Sequence, residues 1–465
     1  MAVWNQISYK ELEYTRIDAE FYQPKYTQEL KQWEKVSGKF EVLKLKNVIT
    51  KPVRTGHTPK NRVIKKGDSL VPFIKTNTLR EGSIVYQDVE YLPERCLSGN
   101  DYIEDEAVIV TIIGATKEIV GRVAIKEKIN PESTTNQNVG IINFKSNIDP
   151  YYGMIYLQSK LGRDQLWRHS RQTEQVNLNC REVERVLFPN VDFDIQKSIG
   201  NDVRLSFQLQ KQSQDLYKQA TELLDKELGL DTIEFEKPRS YRASFSEVIL
   251  NNRADSEYYQ VHFRQIEEHL KTLHTIALGT LCSFIKGYEV GTKLYTEEGP
   301  TFIRVSNFTK NGFSFGDSDK HISNTTYNFF KAFKPNIGDI LLTKDGTVGM
   351  CYVVDEEVEG IISSGIVNLT LLNESIPKEY LALVINSKIC QMQANRDCSG
   401  ALISHWKPQD IRKTKIPLLE NAKMQKLNDL VVKAKSALKQ SKKLLEQAKQ
   451  RVEGLIENAT GTQSE

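Results

Sequence analysis

Most of the chain reads as short apolar runs, four to seven residues long, that end at Gly, Asn, Asp or Pro, and two long stretches switch to a seven-residue beat. Ala107-Val-Ile-Val-Thr-Ile-Ile113 and Asp339-Ile-Leu-Leu-Thr343 are too short for buried helices and rich in β-branched residues, which predicts buried strands. Each run meets a glycine turn and a second strand, Gly121-Arg-Val-Ala-Ile125 and Gly349-Met-Cys-Tyr-Val-Val354. Helices are predicted over 151–168 and 378–394. Strands and helices in this mixture predict an α+β architecture.

In the second heptad stretch Leu427, Ala434, Ser441, Ala448 and Leu455 share one core position, and Leu430/Val431, Leu438, Leu444/Leu445 and Val452 form the other seam. The first stretch places Ile199, Ser206, Ser213 and Ala220 on one seam, with Leu209, Leu216 and Leu223 on the other. Small residues on one seam let two backbones approach closely, so two long helices are expected to pair antiparallel as a coiled coil. Thirty residues at 1.5 Å each make a rod of roughly 45 Å. The lysines on the outer face (Lys433, Lys435, Lys439, Lys442, Lys443) read as a solvated helix surface.

The chain also repeats itself. Arg16-Ile-Asp18-Ala-Glu20-Phe21-Tyr22-Gln23 recurs as Arg253-Ala-Asp255-Ser-Glu257-Tyr258-Tyr259-Gln260, a separation of 237 residues. Later pairs, Ser159/Ser387 and Pro189/Pro417 among them, are 228 apart, so the first copy carries extra residues in between. The expected organisation is a mixed domain at 1–190, a central helix at 191–230, a linker at 231–252, a second mixed domain at 253–417 and a C-terminal helix at 418–460.

With 465 residues, the chain is too long for a single core. Charged residues are 26% of it and the mean hydropathy is −0.46, as in folded, water-exposed proteins. No run approaches the ~18 apolar residues of a membrane span. The opening Met-Ala-Val-Trp-Asn-Gln has no charged segment followed by an apolar one, and a cytoplasmic location without membrane contact is expected. Lys and Arg number 63 against 60 Asp and Glu, so a nucleic-acid partner would have to be met by local patches.

No catalytic centre is visible. The six cysteines make no C-x-x-C or Cys/His zinc spacing and read as buried thiols. There is no G-x-x-x-x-G-K-[ST] loop and no H-E-x-x-H, and the glycines near 114 and 346 read as hairpin turns. No cofactor, metal or enzymatic activity is expected. What stands out is polar and basic residues at corresponding turns of both halves. Lys75 and Asn77 answer Arg304 and Asn307 at strand ends, and the hairpins carry Lys117 and Arg122 in one half, Lys344 and Thr347 in the other. Arg168, Arg171, Gln175 and Asn177 follow the first helix, and Arg396, Ser404, His405 and Lys407 follow the second. Arg and Lys can read guanine, Asn and Gln adenine, and Lys or Ser can position phosphate, which is the side-chain set that DNA readout requires.

In this order the motifs resemble the specificity subunit of type I restriction-modification enzymes. The carriers are the R-x-D-x-E-[FY]-Y openings at Arg16 and Arg253, the hairpins ending in Gly121-Arg122 and Thr347-Val-Gly349, and the tails 178–189 and 406–417 that lead into long helices. The first hairpin is longer than the second. The resemblance implies two target-recognition domains, each reading half of a split double-stranded DNA site, separated by two long antiparallel helices that act as a ruler. It further implies docking of two DNA methyltransferase (modification) subunits, with restriction/translocase subunits joining through that modification core, and catalysis in those other chains. The absence of an [ND]-P-P-[YF] motif agrees. A coiled-coil scaffold without its own sequence readout is the competing reading.

Overall fold

A computed structural model of the protein describes residues 4–13, 16–36, 39–80, 82–116, 119–172, 176–316, 319–400 and 404–460. The chain forms two compact units, residues 1–210 with 439–465, and residues 211–438. Two long helices, Phe193–Glu227 and Asn421–Thr460, each contribute one part to each unit.

Unit 1 is built on a four-stranded antiparallel sheet of β1 (Arg54–Thr55), β2 (Val108–Thr111), β3 (Val123–Ile125) and β4 (Val139–Ile142), in the order β1-β4-β2-β3. All residues of β2, β3 and β4 are buried, which is why they read as continuous apolar runs and not as alternating ones. Helix α1 (Pro24–Val36) precedes the sheet; α2 (Pro150–Gln158) follows and packs on β2 and β3. Asp149 caps α2 by accepting from the Tyr151 and Tyr152 amides at 2.9 and 3.2 Å. The single helix expected over 151–168 is broken at Ser159. That residue is extended, and its hydroxyl accepts from the Gly162 amide to start α3 (Lys160–His169).

Unit 2 repeats this plan. Its strands β5 (Cys282–Lys286), β6 (Ile340–Thr343), β7 (Cys351–Val353) and β8 (Ile366–Leu371) run in the order β5-β8-β6-β7, again antiparallel. Helix α4 (Val261–Leu270) stands where α1 stands, and α5 (Lys378–Asn386) and α6 (Lys388–Asp397) break at Ser387 as α2 and α3 break at Ser159. Each unit adds a three-stranded sheet with one parallel pair, Thr134–Thr135 beside Leu70–Ile74 and Gly360–Ile362 beside Tyr295–Ile303.

The long helices enter the cores through their small-residue seam. In unit 1, Ser206 Oγ donates to the Ser441 carbonyl at 2.8 Å and lies 3.0 Å from its hydroxyl, while Arg451 Nη2 donates to Ser198 Oγ at 3.0 Å. Those two contacts run the segments antiparallel. In unit 2, Lys423 pairs with Glu227 at 2.8 Å, and Ala220 and Leu224 share a core with Leu427 and Val431. The other seam departs from the heptad reading. Val203, Phe207 and Leu224 are buried, whereas Leu209, Leu216 and Leu223 are only half-buried, because straight 3.6-residue turns drift against a 3.5-residue repeat. Ser206→Leu should lower stability by about 1–3 kcal/mol through overpacking, read as a shift of the urea midpoint at unchanged slope.

Candidate nucleic-acid interface

The R-x-D-x-E opening is a clamp. Arg16 donates through Nε to Asp18 at 2.7 Å, and its Nη1 and Nη2 reach the carbonyls of His169 (2.7 Å), Ser170 (3.1 Å) and Arg168 (3.4 Å). Those carbonyls lie at the C-terminus of α3, where no intrahelical donor remains. Tyr22 completes the unit by donating from its hydroxyl to the Arg16 carbonyl at 2.9 Å. In unit 2 Arg253 holds Asp255 at 2.6 Å and the Asp397 and Cys398 carbonyls at 3.2 and 3.1 Å, and Tyr259 donates to its carbonyl. Each clamp fixes the helix end from which the polar loop leaves.

The loops themselves form small ribbons. In unit 1 Ile113–Gly114 pairs with Val176–Asn177, which pairs in turn with Arg171–Gln172. In unit 2 the same places are marked by bridges from His405 to Asp345 and to Ser399. The hairpins close alike: Gly121 donates to Thr111 O at 2.8 Å and Gly349 to Thr343 O at 2.9 Å, and both glycines have φ of 83°. Leu178 donates to Ile112 and Trp406 to Lys344, each at 2.8 Å. By these bonds Lys344 occupies the place of the buried Ile112, and the first hairpin's extra residues fall between Thr111 and Gly121.

This register corrects several expectations. Two of the expected residues, Lys117 and Gln175, lie outside the described residues. Lys344 is buried and its Nζ donates to Asp345 at 2.6 Å, so it is a poor phosphate contact. Asp345 also holds His405 Nδ1 at 2.8 Å; burial raises its carboxyl, but the bonds from Lys344 and His405 outweigh that and hold it below the ordinary range. Asn307 is only 2% exposed and is spent on its own turn, accepting from the Arg304 amide at 3.1 Å and donating to Asp319. Arg396 is held by Asp397 at 2.8 Å and by Glu267, and Arg168 is buried over the Phe21 ring at 3.9 Å. These four side chains serve the fold.

The others stay at or near the surface. Asn77, Arg171, Asn177, Thr347, Ser404, His405 and Lys407 are exposed; Lys75, Arg122 and Arg304 are half-buried. Lys75 pairs with Glu90, and Arg171 with Glu182 at 3.2 Å. Sequence reasoning passed over Lys60, Arg62, Lys65 and Lys66, all exposed on one loop of unit 1, although four cations within seven positions was a legible signal. The sum of exposed groups in each unit, amides, hydroxyls, an imidazole and cations on short ribbons, suits hydrogen bonding to base edges and phosphates.

Residues 37–201 match the family described as the type I restriction modification DNA specificity domain. That segment is similar to type I specificity domains. It runs from just before the strand Glu41–Lys44 into the first long helix, so the match contains the sheet, α2, α3 and the ribbon of unit 1. The clamp residue of unit 1, Arg16, lies ahead of the matched segment. Solved structures with likeness to the chain include the type I restriction-modification system S subunit from M. genitalium, 12% identical, covering 91% of this chain and 97% of that one at a TM-score of 0.44. The HsdS subunit from Thermoanaerobacter tengcongensis is 15% identical and covers 90% and 96% at a TM-score of 0.30. A structure described as the basis of complex assembly and conformational transition of the type I R-M system is 13% identical, covering 90% and 97% at 0.31. No curated protein sequence matches the chain.

Proposed function

We propose that the chain is the DNA-reading specificity subunit of a type I restriction-modification complex, without catalysis of its own. Unit 1 reads one half of a split double-stranded site through the ribbon of Arg171 and Asn177, and unit 2 reads the other half through Thr347, Ser404 and His405. Lys407, Lys75 and the Lys60–Lys66 loop hold phosphates. The long helices fix the spacing of the half-sites and dock two methyltransferase subunits, through which the restriction subunits join. The single observation that carries this reading is the duplication: a specificity-domain match in one unit, and the same topology with a polar ribbon of different side chains in the other. Two copies of one platform with different reading groups suit an asymmetric, two-part target.

Positioning and reading groups should separate in titrations against matched and mismatched duplexes at two salt concentrations. Lys407→Ala is expected to weaken binding to all sequences and to lower the salt slope by about one unit. Asn177→Ala is expected to cost ~1–3 kcal/mol of discrimination at one position of one half-site, with nonspecific affinity unchanged. Identical profiles for the two variants would favour a scaffold with no readout of its own.

A further inference from the structure

In unit 2 the guanidinium of Arg396 is answered from within the fold. Its Nε donates to Asp397 Oδ1 at 2.8 Å, its Nη1 to Glu267 on α4, and it lies over the Tyr258 ring. The counterpart in unit 1 is Arg168, near the end of α3 and 228 residues earlier. There both carboxylates are replaced: Leu30 on α1 stands where Glu267 stands on α4, and His169 where Asp397 stands. Arg168 is 6% exposed, its Nη2 is 3.9 Å from Glu13, and its Nε has no hydrogen-bond partner among the described residues. Glu13 and the Phe21 ring answer part of the charge, but a buried N–H left without a hydrogen bond still costs free energy. His169 gives no relief. Burial first, then the charges of Arg168 and Arg16, push its imidazole down to about 3, so it is neutral, and its buried Nδ1 has no hydrogen-bond partner among the described residues.

Arg168 and His169 belong to the wall of a cleft of about 730 Å³ in unit 1. Four more cations line it, Lys31, Lys44, Lys46 and Arg185, against the carboxylates of Glu11, Glu13 and Glu34. Those carboxylates have work already: Glu11 accepts from the Ser8 amide at 2.9 Å, Glu13 from Arg185 at 3.3 Å, and Glu34 is engaged as well. Leu30, Ile7 and Leu187 give the cleft an apolar side. Its size suits a small ligand, with a few placed polar groups to fix orientation.

We propose that this cleft binds a small carboxylate-bearing anion, whose carboxylate stands against Arg168 as Glu267 and Asp397 stand against Arg396 in unit 2. The inference does not depend on DNA reading. Calorimetric titration of the full chain with sodium glutarate, against sodium chloride at equal ionic strength, should show one saturable site. Leu30→Glu supplies the unit 2 carboxylate in cis and should weaken glutarate at least tenfold while leaving the protein folded with an equal or higher Tm. Arg168→Lys, which keeps the charge and loses the guanidinium fork, should also weaken it tenfold and serves where the first variant fails to fold. A hexaglutamate peptide is titrated in parallel; saturation by the peptide alone assigns the carboxylate to an acidic protein segment and upholds the chemistry. Displacement of glutarate by duplex DNA, equal affinity in wild type and both variants, or no saturable binding of either probe would overturn the proposal.

Discussion

Arg16→Ala should lower the stability of unit 1 by about 3–5 kcal/mol, the range for removing one partner of a buried ion pair. Arg16 is 2% exposed, sits 3.7 Å from the equally buried Glu182, and answers three carbonyls at the end of α3 in addition to Asp18. Its removal leaves those carbonyls without a donor and loosens the helix end from which Arg171–Asn177 departs. The equivalent Arg253→Ala should cost less, because Arg253 and Asp255 are 22% and 40% exposed and water screens the pair. Urea unfolding of the two variants checks the order: equal losses would mean that the clamp's worth lies in the motif alone and not in its burial. DNA titration of Arg16→Ala should show discrimination lost in one half-site only.

The second large effect is a pH dependence centred on Glu29. This carboxyl, buried between α1 and α3, accepts from Gln165 Nε2 at 3.1 Å and Trp33 Nε1 at 3.3 Å. Burial raises it, the two bonds lower it, and burial wins, pushing it up to about 7 from an ordinary 4.5. Between those values the folded chain holds a proton that the unfolded chain has lost, so stability falls as pH rises through the window and levels off above it. The loss through this one group is about 3 kcal/mol. Glu29→Gln cannot ionise and should gain that amount on wild type between pH 4.5 and 7.5. His169, pushed down to about 3, works in the opposite direction: its contribution is lost as pH falls from about 6.5. The same slope acts in both proteins, so the difference between their urea midpoints isolates Glu29. A difference that stays constant with pH would show the carboxyl to be ionised in the fold.

How much of this was legible in the sequence depended on how local the cause was. The β-branched runs gave the central strands, and the 237- and 228-residue separations gave the duplication. The pattern runs on through two helices without a break, because a serine inside an apolar run carries no obvious stop signal, although Ser159 and Ser387 both break their helices. The R-x-D-x-E spacing was visible, but its meaning was not, since Arg16 acts on backbone carbonyls some 150 positions away that leave no side-chain trace. Lys344, Asn307, Arg168 and Arg396 looked like surface readers for the same reason: the groups that bury or pair them, the neighbouring Asp345 and Asp397 excepted, are distant in the chain or are ring faces and backbone atoms. The hairpin of unit 1 could not be aligned by residue type, because the register is set by hydrogen bonds from Leu178 and Trp406 to positions of opposite polarity, Ile112 and Lys344.

The central claim is that one chain reads two separate half-sites with two similar units. Its most direct test is selection of bound duplexes from a random pool by the full chain assembled with its methyltransferase partner, followed by sequencing. The account predicts two short, different specified segments at a constant separation, and with Asn177→Ala relaxation within one of them. A single contiguous or palindromic motif, or enrichment that no loop substitution alters, would contradict it.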